Sequence, residues 1–134
     1  MKRLMCKGKI HRAAVTEANL DYVGSITIGE ELMKAADIMP YEIVQITNLS
    51  NAVRWKTYAV PGGTGRICLN GPPARLFRPG DQVIILSMGL FDEEEIRTLK
   101  PKVVFVDEAN RIRDIREHAL FGESGGIDWS SLRI

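Results

Sequence analysis

The pair Gly24-Ser25 is the first place in this sequence where residue types could support covalent chemistry. It lies in the stretch DYVGSITIGEEL, in which Ser25 opens an alternating, strand-like run. A serine hydroxyl can attack the preceding carbonyl and move the acyl group from nitrogen to oxygen, if the backbone is strained and the oxyanion is stabilised. Glycine leaves that carbonyl accessible. The resulting ester can undergo β-elimination and hydrolysis to a pyruvoyl group, although most Gly-Ser pairs simply form turns.

The other residues that often carry chemistry form no familiar catalytic pattern. His11 and His118 lack a serine-plus-carboxylate arrangement, and the sequence has no GxSxG, HExxH or phosphate-loop motif. The glycine-rich residues 62–65 lie between two strand-like runs, which favours a hairpin over a phosphate site. Cys6 and Cys68 form no CxxC or ligand cluster, so we expect reduced thiols and no metal.

Length and charge restrict the class of protein. A chain of 134 residues suggests one domain, and a net charge of +1 gives no electrostatic case for binding nucleic acid or a membrane. No apolar run approaches the roughly 20 residues of a membrane span. The N-terminus has scattered charges and no apolar core of a signal peptide, so we expect a cytoplasmic protein.

The elements that must position Ser25 are short and mostly strands. Alternating and β-branched runs predict strands at residues 5–13, 25–28, 43–48, 53–60, 66–69, 82–88 and 102–106. In the first of these, alternation predicts Lys7, Lys9 and His11 on one face. Helices are predicted at 30–36 and 92–99, the second beginning at Asp92 and stopping before Pro101. This pattern favours a closed barrel or a sandwich.

A faint internal repeat supports the barrel. The segments GSITIGEELMKAADIMPYEIVQI and GRICLNGPPARLFRPGDQVIIL each read as glycine, strand, short helix or turn, proline, acid and strand. Two such units suggest a pseudo-two-fold barrel.

Five blocks of this sequence, in order and spacing, resemble the aspartate decarboxylase family. They are KGKIHRAAVTEANLDYVGSITI, RWKTYAV, GRICLNGPPARL, RPGDQVIIL and LKPKVVFVDEANRI. The first is the most specific, because it joins KIHRA to YxGS. The resemblance covers residues 1 to about 112 and leaves a C-terminal tail, 113–134, of unknown role. Gly122, Gly125 and Gly126 predict that this tail is flexible, while Trp129, Leu132 and Ile134 are apolar enough to dock.

The resemblance implies a fold, an assembly and a maturation step. The fold is mainly β, a double-psi β-barrel with short helices, and the assembly is a homotetramer with active sites between subunits. The proenzyme cleaves itself between Gly24 and Ser25 into a β chain, 1–24, and an α chain, 25–134. Ser25 becomes the pyruvoyl cofactor, which forms a Schiff base with L-aspartate; CO2 leaves and β-alanine is produced for pantothenate and coenzyme A biosynthesis.

The resemblance also assigns roles to single residues. Lys9 and Arg54 are the substrate-binding cations, and Arg54 offers a planar fork for the carboxylate that remains in the product. Tyr58 is the proton donor. Thr57 contacts the Gly24 carbonyl during cleavage and is also counted among the substrate contacts. In a flat strand Thr57 and Tyr58 face opposite ways, so either the strand twists or bulges there, or the two residues serve different sides of a subunit boundary.

The substrate cradle implied by the resemblance begins at Asn70-Gly71 and uses backbone groups and the Asn70 side chain. This chain continues with Pro72-Pro73 where the family more often has Ala-Ala. Proline has no N–H, so contacts that used those two donors are lost.

Alternatives remain open on the sequence alone. The chain could be a non-enzymatic double-psi barrel that binds a partner, or a homologue that decarboxylates another acidic amino acid such as glutamate. Maturation is either spontaneous or assisted by a helper protein.

Overall fold

A computed structural model describes residues 1–133 of the chain. The strands are β1 (Arg3–Ala14), β2 (Glu17–Asn19), β3 (Ser25–Gly29), β4 (Ile43–Asn48), β5 (Arg54–Gly62), β6 (Ile67–Asn70), β7 (Gln82–Phe91), β8 (Lys102–Val106) and β9 (Ile112–Glu117). Two α-helices, α1 (Glu30–Ala35) and α2 (Glu93–Thr98), and a 3₁₀ helix, η1 (Pro72–Arg75), connect them. Neither α-helix is long or apolar enough to cross a membrane.

The strands form a closed barrel. Their order is β2-β6-β3-β5-β4-β7-β1-β8-β9. β1 runs into β2 through Val15 and Thr16, so one continuous segment borders both β7 and β6. Val15 N–H donates to Asp81 O at 2.8 Å, and Thr16 N–H donates to Ile67 O at 2.7 Å. The continuous β1–β2 segment therefore connects β7 to β6 and closes the barrel, while β8 and β9 extend from β1 outside this ring.

Strand pairing follows the two-fold relation that the sequence repeat predicted. β3 pairs with β5 in parallel and β6 pairs with β2 in parallel. β4 pairs with β5 antiparallel and β7 pairs with β1 antiparallel. β3–β6 and β4–β7 are antiparallel pairs across the axis. The same pattern of parallel and antiparallel pairs therefore results when β3, β4 and β5 are replaced by β6, β7 and the β1–β2 segment. This pseudo-two-fold pattern confirms the predicted double-psi β-barrel.

Alternation along the strands fills the interior with aliphatic side chains. Ile26, Ile28, Ile46, Ile67 and Ile85 are all 0% exposed and belong to one core cluster. Their neighbours in sequence point to the outer surface of the barrel, because successive strand residues face opposite sides. This alternation determines which candidate site residues share a surface.

The prediction that Lys7 lies on the same face of β1 as Lys9 is wrong. The β1–β7 register shifts between Cys6 and Gly8, so Lys7 is the extra residue of a bulge and does not continue the row of Lys9. Its Nζ instead lies 3.1 Å from a carboxylate oxygen of Glu42 and donates to Asp37 O. Simple alternation could not reveal a bulge.

Helix α2 begins as the sequence indicated. Asp92 accepts a hydrogen bond from Glu95 N–H at 2.8 Å, and the Glu95 carboxylate accepts from Asp92 N–H at 2.9 Å. This reciprocal pair is a capping box. Helix α1 ends one residue before its predicted end, at Ala35.

The C-terminal segment is more ordered than its glycines suggested. β9 pairs with β8 and spans the predicted boundary at residue 112. Beyond it, Asp128 N–H donates to Leu120 O at 3.0 Å, and Gly122 N–H donates to Gly126 O at 2.8 Å. Phe121 lies under the Arg97 guanidinium of α2, 5.1 Å from ring centroid to Cζ. The tail thus folds back on α2; Ile134 lies outside the described residues.

Candidate active site

Ser25 is the first residue of β3 and lies between β5 and β6. Its neighbour Ile26 faces the core, so the Ser25 side chain points to the outer side of the sheet, yet it is only 6% exposed. Asn70, its register partner on β6, donates from Nδ2 to Ser25 Oγ at 3.0 Å. The Ser25 hydroxyl lies farther from Val23 O, at 3.4 Å. The serine is therefore shielded from solvent and held by a donor.

Gly24, on the other side of the candidate cleavage bond, is pressed against Gly71. A Cβ built on Gly71 would lie 2.7 Å from Gly24 Cα and 3.0 Å from Gly24 N. Gly71 also has φ +83°, a conformation that L side chains rarely adopt. Its N–H donates to Asn19 O at 2.8 Å. Two features thus require glycine at position 71: the positive φ and the close approach of its backbone to that of Gly24.

This contact predicts that Gly71→Ala is destabilising. The added methyl group would have to displace backbone atoms of Gly24 and would adopt a strained φ, so the free energy of unfolding should fall by about 1–3 kcal/mol. Urea denaturation measures it. Gly63→Ala is the matched control, because a Cβ on Gly63 has no atom within 4 Å. Equal unfolding midpoints for the two variants would contradict the prediction.

Thr57 and Tyr58 lie side by side on β5 and face opposite sides. The β4–β5 register runs without a shift from Thr47↔Arg54 to Ile43↔Tyr58, so there is no bulge to turn them the same way. On the other edge Ile26 pairs with Ala59. Extending that register by one residue places Ser25 beside Tyr58, and both side chains point to the outer surface of the barrel.

The β3–β5 pairing begins at Ile26 and Ala59; extended by two residues into the bend before β3, it would bring Gly24 beside Thr57, whose side chain points inward. The two neighbouring residues on β5 therefore approach the Gly24-Ser25 bond from different sides of the sheet. With this geometry the roles predicted for Thr57 and Tyr58 do not require a bulge in β5.

Tyr41 stacks on Tyr58, a contact that sequence reasoning missed. The two ring centroids are 5.2 Å apart and the planes differ by 4°. Tyr41 has φ +70°, and its N–H donates to Ala59 O at 2.7 Å, which fixes the loop beside β5. No local pattern indicates this contact, because Tyr41 is 72% exposed and lies in a turn.

Lys9 and Arg54 lie on the outer surface but apart from Ser25. Arg54 precedes Tyr58 by four strand residues, about 13 Å along β5. Lys9 lies on β1, which β7 and β4 separate from β5, about 14 Å across the strands. Within residues 1–133, neither side chain forms an ion pair. One copy of the chain thus gathers Ser25, Gly24, Thr57, Tyr58, Asn70 and Gly71, but not the two cations.

Pro72 and Pro73 occupy the first positions of η1, and Pro73 is buried. Proline suits this end of a helix, where an N–H has no intrahelical partner. The N–H of Gly71 is already bonded to Asn19 O, and that of Ala74 donates to Gly71 O at 3.0 Å. The Asn70 side chain is therefore the main donor that this segment presents to Ser25.

Two titratable side chains have shifted pKa values: His11 on β1, away from Ser25, and Cys68 on β6, beside Asn70. Burial, reinforced by the charges of Lys9 and Arg12, lowers the pKa of His11. Burial and the nearby Glu17 carboxylate raise the pKa of the Cys68 thiol. Among residues 1–133 there is no group of three or more His, Cys, Asp or Glu side chains that could hold a metal ion.

Comparison of the sequence with known proteins shows which family the chain belongs to. The sequence profile described as "Aspartate decarboxylase" matches residues 1–113. The chain belongs to the aspartate decarboxylase family. It is 59% identical over 121 residues to an aspartate 1-decarboxylase of Acetivibrio thermocellus, covering 89% of this chain and 96% of that protein.

Two further relatives of the aspartate decarboxylase family extend the match. An aspartate 1-decarboxylase of Heliobacterium modesticaldum is 55% identical over 114 residues, 84% of this chain and 86% of that protein. That of Moorella thermoacetica is 50% identical over 131 residues, 96% and 99% of the two chains. The second match extends into the segment beyond residue 113, which the family profile does not cover.

Proposed function

We propose that this member of the aspartate decarboxylase family cleaves itself between Gly24 and Ser25 and then decarboxylates L-aspartate to β-alanine and CO2, which supplies pantothenate and coenzyme A biosynthesis. One observation carries the proposal. A buried Ser25 hydroxyl accepts a hydrogen bond from Asn70, directly after a glycine whose backbone is packed against Gly71.

The first step uses only groups of the chain. Ser25 Oγ attacks the Gly24 carbonyl, the peptide C–N bond breaks, and the hydroxyl proton passes to the released amine. Thr57, level with Gly24, is the candidate donor to the oxygen that develops charge. Asn70 remains bonded to Oγ, which is now the ester oxygen. Elimination and hydrolysis, with loss of ammonia, would then leave a pyruvoyl group at the start of β3.

The surroundings of Ser25 fit such a group. The position is shielded, and it has a neutral amide donor in Asn70 and a phenol level with it in Tyr58. When formed, the pyruvoyl group supplies a carbonyl that accepts the electrons released as CO2 leaves. Tyr58 would donate a proton to the product carbon, and Arg54 would hold the carboxylate that remains in β-alanine, with Lys9 as the second cation.

The positions of the cations favour a site between copies of the chain. Lys9 and Arg54 share the outer surface of the barrel with exposed apolar residues of β1, β4, β7 and the turn before β4: Leu4, Ile43, Leu90 and Tyr41. Burying such residues would stabilise a homo-oligomer. We propose the homotetramer of the family, in which the cations of one copy serve Ser25 of another.

Intact-mass spectrometry of the purified protein tests the cleavage. We expect two chains, 1–24 and 25–134, the larger with a ketone-bearing N-terminus, whereas Ser25→Ala should remain one chain. Assays with aspartate and glutamate then fix the substrate. Wild-type protein that stays a single chain, even with lysate added to supply a helper protein, would refute the proposal.

A complementation assay tests the shared site. Ser25→Ala lacks the cofactor and Arg54→Ala lacks the carboxylate ligand, so each alone should be nearly inactive. If the site lies between copies, co-expression of the two should form mixed oligomers with some complete sites and restored β-alanine production. Light scattering should give a tetramer mass. Two inactive variants that stay inactive in demonstrated mixed oligomers would place the whole site in one copy.

A further inference from the structure

The Asn70 side-chain amide lies at the centre of a small polar cluster. Its Nδ2 is 3.0 Å from Ser25 Oγ and 3.0 Å from Thr27 Oγ1, while its Oδ1 is 3.1 Å from Cys68 Sγ. Asn70 is 4% exposed and Cys68 is 0% exposed. The outline of an amide hardly changes when its oxygen and nitrogen exchange places, so neighbouring donors and acceptors decide which atom faces Ser25.

The thiol is the neighbour that distinguishes the two orientations. The hydroxyls of Ser25 and Thr27 can donate or accept hydrogen bonds, so they are compatible with either orientation of the Asn70 amide. A thiol is a weak donor, and its sulfur is a weak acceptor. With Oδ1 toward Cys68, the S–H has an acceptor; in the reverse orientation two N–H groups would face sulfur. Burial and Glu17 keep the thiol protonated, since they raise its pKa.

We propose that Cys68 is a positioning residue for chain cleavage: its S–H donates to Asn70 Oδ1 and so directs Asn70 Nδ2 toward Ser25 Oγ. The inference rests on the self-cleavage proposed above. In the elimination step the Ser25 Cα proton passes to water, the Cβ–Oγ bond breaks, and its electron pair goes to Oγ. That atom becomes an oxygen of the Gly24 carboxylate. A donor aimed at Oγ stabilises the developing charge, whereas a carbonyl oxygen there would repel it.

The strand register makes this arrangement specific to position 68. Cys68 and Asn70 are two residues apart on β6 and face the same side, opposite Thr27 and Ser25 respectively. The other cysteine, Cys6, is exposed and lies on β1. It is therefore a matched control for the loss of a thiol.

The test compares cleavage rates of the full-length chain, followed by intact mass after rapid purification. Cys68→Ala removes the donor and should slow cleavage about 5- to 10-fold, as expected for one modest hydrogen bond. Cys68→Ser keeps a donor and should cleave at close to the wild-type rate, as should Cys6→Ala. If Cys68→Ala fails to fold, Cys68→Val replaces it, because valine fills the space without a donor.

A second measurement separates this inference from the proposed function. Hydrogen exchange of the Asn70 side-chain NH2, observed by NMR in uncleaved chain, should be faster in Cys68→Ala than in Cys68→Ser. If wild type never cleaves, the proposed function fails, and the exchange rate decides only whether Cys68 orients the Asn70 amide. If wild type cleaves but Cys68→Ala cleaves equally fast, or Cys68→Ser is as slow as Cys68→Ala, the positioning role is overturned.

Discussion

Tyr58→Phe should cleave at Gly24-Ser25 like wild type, carry the pyruvoyl group, and turn over aspartate about 100- to 10,000-fold more slowly, the usual contribution of a general acid. The structural reason is that Tyr58 points outward, level with Ser25, where a product carbon would need its proton. Its side chain lies on the opposite side of β5 from Thr57, the proposed donor to the Gly24 carbonyl oxygen, so we expect cleavage not to depend on it. A gel for processing and a β-alanine assay on one preparation measure both effects.

Tyr41→Phe is the control for this prediction. Tyr41 stacks on Tyr58 with nearly parallel rings, so each variant removes one hydroxyl from the same aromatic pair. Loss of the Tyr41 hydroxyl should leave turnover close to wild type, since the stacked ring remains. Equal losses in both variants would mean that the Tyr58 hydroxyl has no special role as the proton donor.

Much of the barrel could be predicted because its strands follow simple alternation. β4 and β8 have the predicted bounds, and the glycine–strand–helix–strand repeat corresponds to the two-fold exchange of β3-β4 with β6-β7. Such repeats are visible because each unit must bury the same pattern of aliphatic residues. β2 and β9 were not predicted, since β2 has three residues and the side chains of β9 are exposed, so neither shows a buried periodicity.

The site was less predictable from sequence, for a different reason. The resemblance gave Ser25, Tyr58 and Asn70, but nothing in the sequence relates Cys68 to Asn70 or Tyr41 to Tyr58. These contacts depend on register and on a turn at positive φ, which no local pattern encodes. The bulge at Lys7 is a third feature of this kind. One extra residue in a strand changes the side of the sheet that the neighbouring side chains face, and no local sequence pattern indicates it.

Thr57→Val should accumulate uncleaved chain. Thr57 is level with Gly24 and approaches the cleavage bond from the inner side of β5, so its hydroxyl can donate to the carbonyl oxygen as that oxygen becomes charged. Loss of one such donor costs about 100- to 1000-fold in acyl transfer. Valine has nearly the same shape, so the barrel should keep its stability. Intact mass against time, on freshly purified protein, measures the cleavage rate.

Thr47→Val controls for the substitution itself. Thr47 is a half-buried threonine on the neighbouring strand β4, paired with Arg54 and remote from Gly24 in register. It should cleave at the wild-type rate. If Thr57→Val cleaves equally fast, the oxyanion is stabilised by another donor, and Asn70, already bonded to Ser25 Oγ, becomes the first candidate. Membership of the family would survive that result, because it rests on residues 1–113 as a whole and not on the role of one hydroxyl.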